Sequence, residues 1–99
     1  MERRQQSRSR TRSQTTINCE RSGQLLRAQI RDFSQSGLFV HANPNTLRGE
    51  KTVELIPDAS AYGRPLPPVK ALVVRSTSDG VGLNFLEPCP RFLDTLSRL

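Results

Sequence analysis

The chain has 99 residues, enough for one domain around one small core and too few for a second module or a deep cleft. Its 15 Lys and Arg outnumber 9 Asp and Glu, and residues 1–16 hold five Arg and one Glu, so most of the +6 charge sits in an N-terminal arm and points to a phosphate-bearing partner, whether nucleotide, nucleic acid or anionic lipid. No run approaches the ~20 apolar residues of a membrane helix and the start lacks the apolar segment of a signal peptide, which excludes membrane insertion and makes a cytoplasmic location the expectation.

Residues 1–15 are Arg, Ser, Gln and Thr with almost nothing apolar. Burial cannot repay the entropy of ordering them, so they are expected to form a flexible arm, with the folded body over 16–99. Ile17 and Cys19, then Leu26, Ala28 and Ile30, alternate as half-buried strands do, with a turn at Ser22-Gly23 between them. The pattern resumes with Leu38, Val40 and Ala42, which predicts a tight hairpin around Ser34 to Gly37 and a strand ending at Asn43-Pro44-Asn45. Val53 and Leu55 head the next strand after Arg48-Gly49, whereas Pro57 to Pro68 is too rich in Pro and Gly for an interior strand.

Val69, Ala71 and Val73 alternate with Lys70, Leu72 and Val74, the mark of a strand with one face fully buried. Ser78-Asp79-Gly80 turns the chain, and Val81, Leu83 and Phe85 follow against Gly82 and Asn84, with Gly80 and Gly82 read as permitting a bend in the wall. Pro90 suits a first helical position and Phe92, Leu93, Leu96 and Leu99 recur at helical spacing, which predicts a short amphipathic helix at the C-terminus. Six short strands joined by turns predict an all-β fold, an antiparallel sheet curled into a barrel without exposed edges.

Asp32-Phe33-Ser34-Gln35-Ser36-Gly37 is the most informative stretch, because it lies downstream of the arginines and between two strands. Asp and Ser supply short acceptors and a hydroxyl donor, Gly permits φ > 0 and a close backbone approach, and arginines bring planar forks that grip phosphate. That set suggests an anionic, guanine-bearing ligand, the arm holding charge and the turn reading a base. The same residues also suit an Asx-type turn capping a hairpin, and the arginines a solvated tail. Phe33 and Phe39 read as strand packing rather than base stacking, His41 as structural or exposed, and Cys19 and Cys89 as reduced structural thiols. No nucleophile–base pair, metal cluster or phosphate-cradling glycine loop is present, so neither an enzyme nor a resident cofactor is expected.

In combination these residues resemble the PilZ domain family, and the resemblance covers nearly the whole chain. Glu2-Arg3-Arg4-Gln5-Gln6-Ser7-Arg8 looks like the family's Arg-x-x-x-Arg arm, with Arg8 and Arg12 forming an overlapping second pair, and both registers stand open. Asp32, Ser34 and Gly37 match its (Asp/Asn)-x-Ser-x-x-Gly motif, and Gly80-Val81-Gly82-Leu83-Asn84-Phe85 is similar to its closing strand. Ser13 to Thr16 is more polar than the family's usual first strand.

The resemblance implies a six-stranded barrel that acts as a bacterial receptor for cyclic di-GMP, changes conformation on binding it and signals to a partner protein. The ligand site it implies comprises Arg4, Arg8 and Arg12 on the arm with Asp32, Ser34 and Gly37 on the barrel. Arginine can bind the phosphodiesters or stack on a purine, an ionised Asp32 can accept guanine N–H donors, Ser34 can complete the pattern, and Gly37 has a backbone role. Ordering the arm costs about 1–2 kcal/mol per residue, and each charge-assisted bond returns about 1.5–3 kcal/mol, so several such bonds are required. Two other readings stand beside it. A non-specific nucleic-acid-binding barrel is disfavoured by the lack of aromatics within the arm, and a PilZ-like interaction domain without ligand by the intact arginines and Asp32.

Overall fold

Apolar alternation becomes strand pairing in a computed structural model that describes residues 9–11, 13–57 and 66–98. The strands are β1 (Ser9–Arg10), β2 (Gln14–Cys19), β3 (Leu25–Phe33), β4 (Gly37–His41), β5 (Thr52–Pro57), β6 (Val69–Ser76) and β7 (Val81–Phe85), followed by helix α1 (Pro90–Ser97). All pair antiparallel in the order β3-β2-β5-β6-β7-β4, and β4 returns to β3 to close a six-stranded barrel. The extra strand β1 continues along β3 beyond the point where β2 departs, setting Ser9 opposite Phe33 and Arg10 opposite Asp32. Among the described residues, closure leaves no long strand edge to template aggregation.

The inward row of each strand forms the core, with Ile17 and Cys19 from β2, Ala28, Ile30 and Phe33 from β3, and Leu38 and Val40 from β4 among its members. Thr15 stands in the same inward row and is also buried; its hydroxyl donates to the Ile56 carbonyl at 3.1 Å, which meets the need of a polar group taken out of water. That bond accounts for the polar start of this strand. At the other end Pro90 opens α1, Phe92 and Leu96 join the core, and Phe92 meets Phe85 edge-on at 6.4 Å.

Three local features depart from the sequence pattern. A 3-10 turn over Pro44–Leu47, capped by the Asn43 side chain accepting from the Asn45 N–H at 3.0 Å, brings Leu47 into the core. In β6 the fully buried face expected over Val69, Ala71 and Val73 stops at Ala71, because Val73 is only half-buried where the register shifts between Val73 and Arg75. Gly80 acts by close approach, because a Cβ there would strike the Val40 carbonyl, while Gly82 has ordinary room, its nearest neighbour being Arg75 Nε at 3.5 Å.

Candidate ligand-binding site

β3 carries a second register shift, between Ile30 and Asp32, and it builds the site. Strict alternation after Leu26, Ala28 and Ile30 would aim Asp32 into the core, where an ionised carboxylate is costly. The bulge at Arg31 transfers the inward position to Phe33, and Asp32 is paired instead with Phe39, a residue outside the core cluster. Residues directly opposite one another share a sheet face. The pairs Arg10 with Asp32, Asp32 with Phe39, Phe39 with Gly82 and Gly82 with Arg75 therefore form one continuous row across the outside of five strands.

On this row Arg31 Nε donates to Asp32 Oδ2 at 2.6 Å, and the Arg31 guanidinium carbon lies 3.9 Å from the centre of the Phe39 ring. Arg75 approaches the same ring at 5.8 Å, and His41, which is exposed, meets it edge-on at 6.5 Å. Phe39 is thus 2% exposed although it lies on the outer wall, covered by cations instead of by core. The Asp32 side chain keeps 11% of its surface open and that of Arg31 keeps 37%.

The turn after Phe33 is held by its own backbone. Ser34 N–H donates to the Gly37 carbonyl at 2.8 Å, the Ser36 N–H donates to Ser34 Oγ at 3.3 Å, and the Phe85 N–H donates to the Ser36 carbonyl at 2.8 Å. Gly37 has an ordinary negative-φ backbone, so the freedom to take φ > 0 is not what selects it. Close approach is: a Cβ at 37 would collide with the Leu83 carbonyl and sit 3.0 Å from Asn84 Oδ1.

Asp32, Ser34 and Gly37 are accordingly brought together on one hairpin, with Asp32 and Ser34 buried but polar. Arg4, Arg8 and Arg12 lie outside the described residues. The structure adds Arg10, Arg31 and Arg75, which the motif search passed over. Arg10 could have been found as one more arginine in the arm, but the positions of Arg31 and Arg75 follow from bulges and cross-strand register, which leave no local signature.

Both thiols belong to packing. Burial lifts Cys19 above its ordinary 9.0, the Glu50 charge adds to the shift and a Ser22 hydrogen bond opposes it, and burial lifts Cys89 to about 11. Neither is a thiolate at neutral pH. Among the described residues no group of three or more His, Cys, Asp or Glu is placed to hold a metal ion, and no helix is long and apolar enough to cross a membrane. The family model described as PilZ domain matches residues 2–99, essentially the whole chain. No curated protein matches it.

Proposed function

The chain belongs to the PilZ domain family, and from that membership we propose that it is a cytoplasmic cyclic di-GMP receptor module with no chemistry of its own. One observation carries the proposal: β1 stitches the root of the arginine arm to Asp32, with Arg10 directly opposite it. The antiparallel register runs from Arg10 opposite Asp32 to Ser9 opposite Phe33, so at Ser9 the chain heads toward the Ser34–Gly37 turn. Arg4 and Arg8, or Arg8 and Arg12, would supply the phosphate and purine-face contacts, while Asp32 and Ser34 take the guanine edge. Drawing the arm over this outer face changes its shape and charge, which gives a partner protein a differential contact between free and bound states.

Nucleic acid fits this face less well. Single-strand binders stack bases on open aromatics, and Phe39, the aromatic of the row, is already covered by Arg31. Calorimetric titration with cyclic di-GMP, beside GTP, cyclic AMP and a short single-stranded DNA, tests the assignment. Tight binding of cyclic di-GMP alone is expected, weakened by salt because the phosphate contacts are partly Coulombic. Equal or absent binding of all four ligands returns the chain to an interaction domain without a messenger.

A further inference from the structure

Arg31 is the residue of this face that neither the motif nor the fold requires. A strand of this kind needs no cation at a bulge, yet the bulge sets Arg31 beside Asp32 on the outer wall and two interactions hold it there. The bond to Asp32 uses Nε, the inner donor of the guanidinium, and the planar group rests against a ring that is 2% exposed and cannot turn freely. Among the described residues, its terminal nitrogens have no hydrogen-bond or ion-pair partner. Two planes are thereby tied together, since Phe39 orients the guanidinium and the Nε–H direction orients the carboxylate.

Orientation matters because a purine edge is a directional ligand. Guanine offers two parallel N–H donors, and a carboxylate meets both only when its plane coincides with that of the base. A carboxylate on its own rotates over a broad torsional range. It also has about four acceptor positions, of which the Arg31 bond on Oδ2 takes one. We propose that Arg31 is a positioning residue, which locks the Asp32 carboxylate against the Phe39 shelf and so sets the selectivity of this site for guanine over purines lacking the 2-amino group. The proposal rests on the cyclic di-GMP reading above and adds to it a residue on the barrel wall, distinct from the arm.

The test uses the full chain as wild type, Arg31→Met and Arg31→Lys, titrated calorimetrically with cyclic di-GMP and with its di-inosine counterpart, which lacks the 2-amino groups. Wild type is expected to prefer cyclic di-GMP. Arg31→Met should lower cyclic di-GMP affinity by about 10-fold, the scale of one charge-assisted bond, and should shrink the preference because the di-inosine ligand loses less. Arg31→Lys should restore neither, since a point charge on a flexible stem cannot both stack flat and direct an Nε–H. Thermal melts identify a variant that has failed to fold, and either variant alone then decides. Wild-type affinity with wild-type preference in a folded variant overturns the proposal, and so does tighter binding, which makes Arg31 a competitor for Asp32. No cyclic di-GMP binding by wild type is a different failure, because it removes the receptor reading itself.

Discussion

The two tight hairpins at opposite ends of the β4–β7 seam are built alike. In one, Ser34 N–H donates to the Gly37 carbonyl at 2.8 Å; in the other, Thr77 N–H donates to the Gly80 carbonyl at 2.8 Å. In each the first hydroxyl accepts from the N–H two residues on, Ser36 to Ser34 at 3.3 Å and Asp79 to Thr77 at 3.1 Å. Each glycine also lies where a Cβ would strike a carbonyl of the opposing strand, that of Leu83 for Gly37 and that of Val40 for Gly80. The difference lies two residues before the turn, where β3 has buried Asp32 and β6 has exposed Arg75. Hydroxyl and glycine are therefore what a hairpin at this seam requires, and Asp32 is the member of the motif that the fold does not account for.

Paired substitutions can break that equivalence. The largest contrast is expected between Asp32→Ala and Asp79→Ala: by calorimetry the first loses about 2–5 kcal/mol of cyclic di-GMP affinity, the scale for removing one partner of a shielded charge pair, and the second loses none. Both should melt close to wild type, because Arg31 is open enough to be solvated once Asp32 is gone. Equal effects of the two would mean that Asp32 is turn chemistry only.

Gly37→Ala and Gly80→Ala should each cost about 1–3 kcal/mol of stability as the seam is forced apart, read as a fall in Tm of several degrees per kcal/mol. A Gly37→Ala protein that melts normally but no longer binds would reassign that glycine from the fold to the ligand. Ser34→Ala and Thr77→Ala should each cost about 0.5–1.5 kcal/mol in denaturant melts, and only Ser34→Ala should weaken binding as well. Gln35→Ser, which gives the first turn the residue found at Ser78 in the second, should change stability by no more than about 0.5 kcal/mol and leave cyclic di-GMP affinity within twofold.

Much of this architecture was legible from side-chain pattern. Ile17 and Cys19, Val53 and Leu55, and Val81 and Leu83 occupy the inward positions their spacing predicts, and Pro90 opens the helix that Phe92 and Leu96 anchor. The pattern overstated the burial of Val73, and strict alternation would have misplaced both Asp32 and Arg75, because one extra residue in a strand reverses every side chain beyond it. Phe39 is packed, as its place in a strand predicts, but what packs on it is a pair of arginines on the outer wall.

Sequence by itself determined the barrel, the hairpin turns and the identity of Asp32, Ser34 and Gly37, because alternation, turn chemistry and a short motif are properties of neighbours along the chain. Only the tertiary structure decided that Asp32 faces outward, that Arg10 stands opposite it, and that Arg31 and Arg75 converge on Phe39. Those relations depend on which strands pair and where a bulge shifts their register. Such choices minimise the free energy of the whole closed sheet, with Phe33 gaining the core and the carboxylate gaining a cation, and no local stretch of residues encodes them alone.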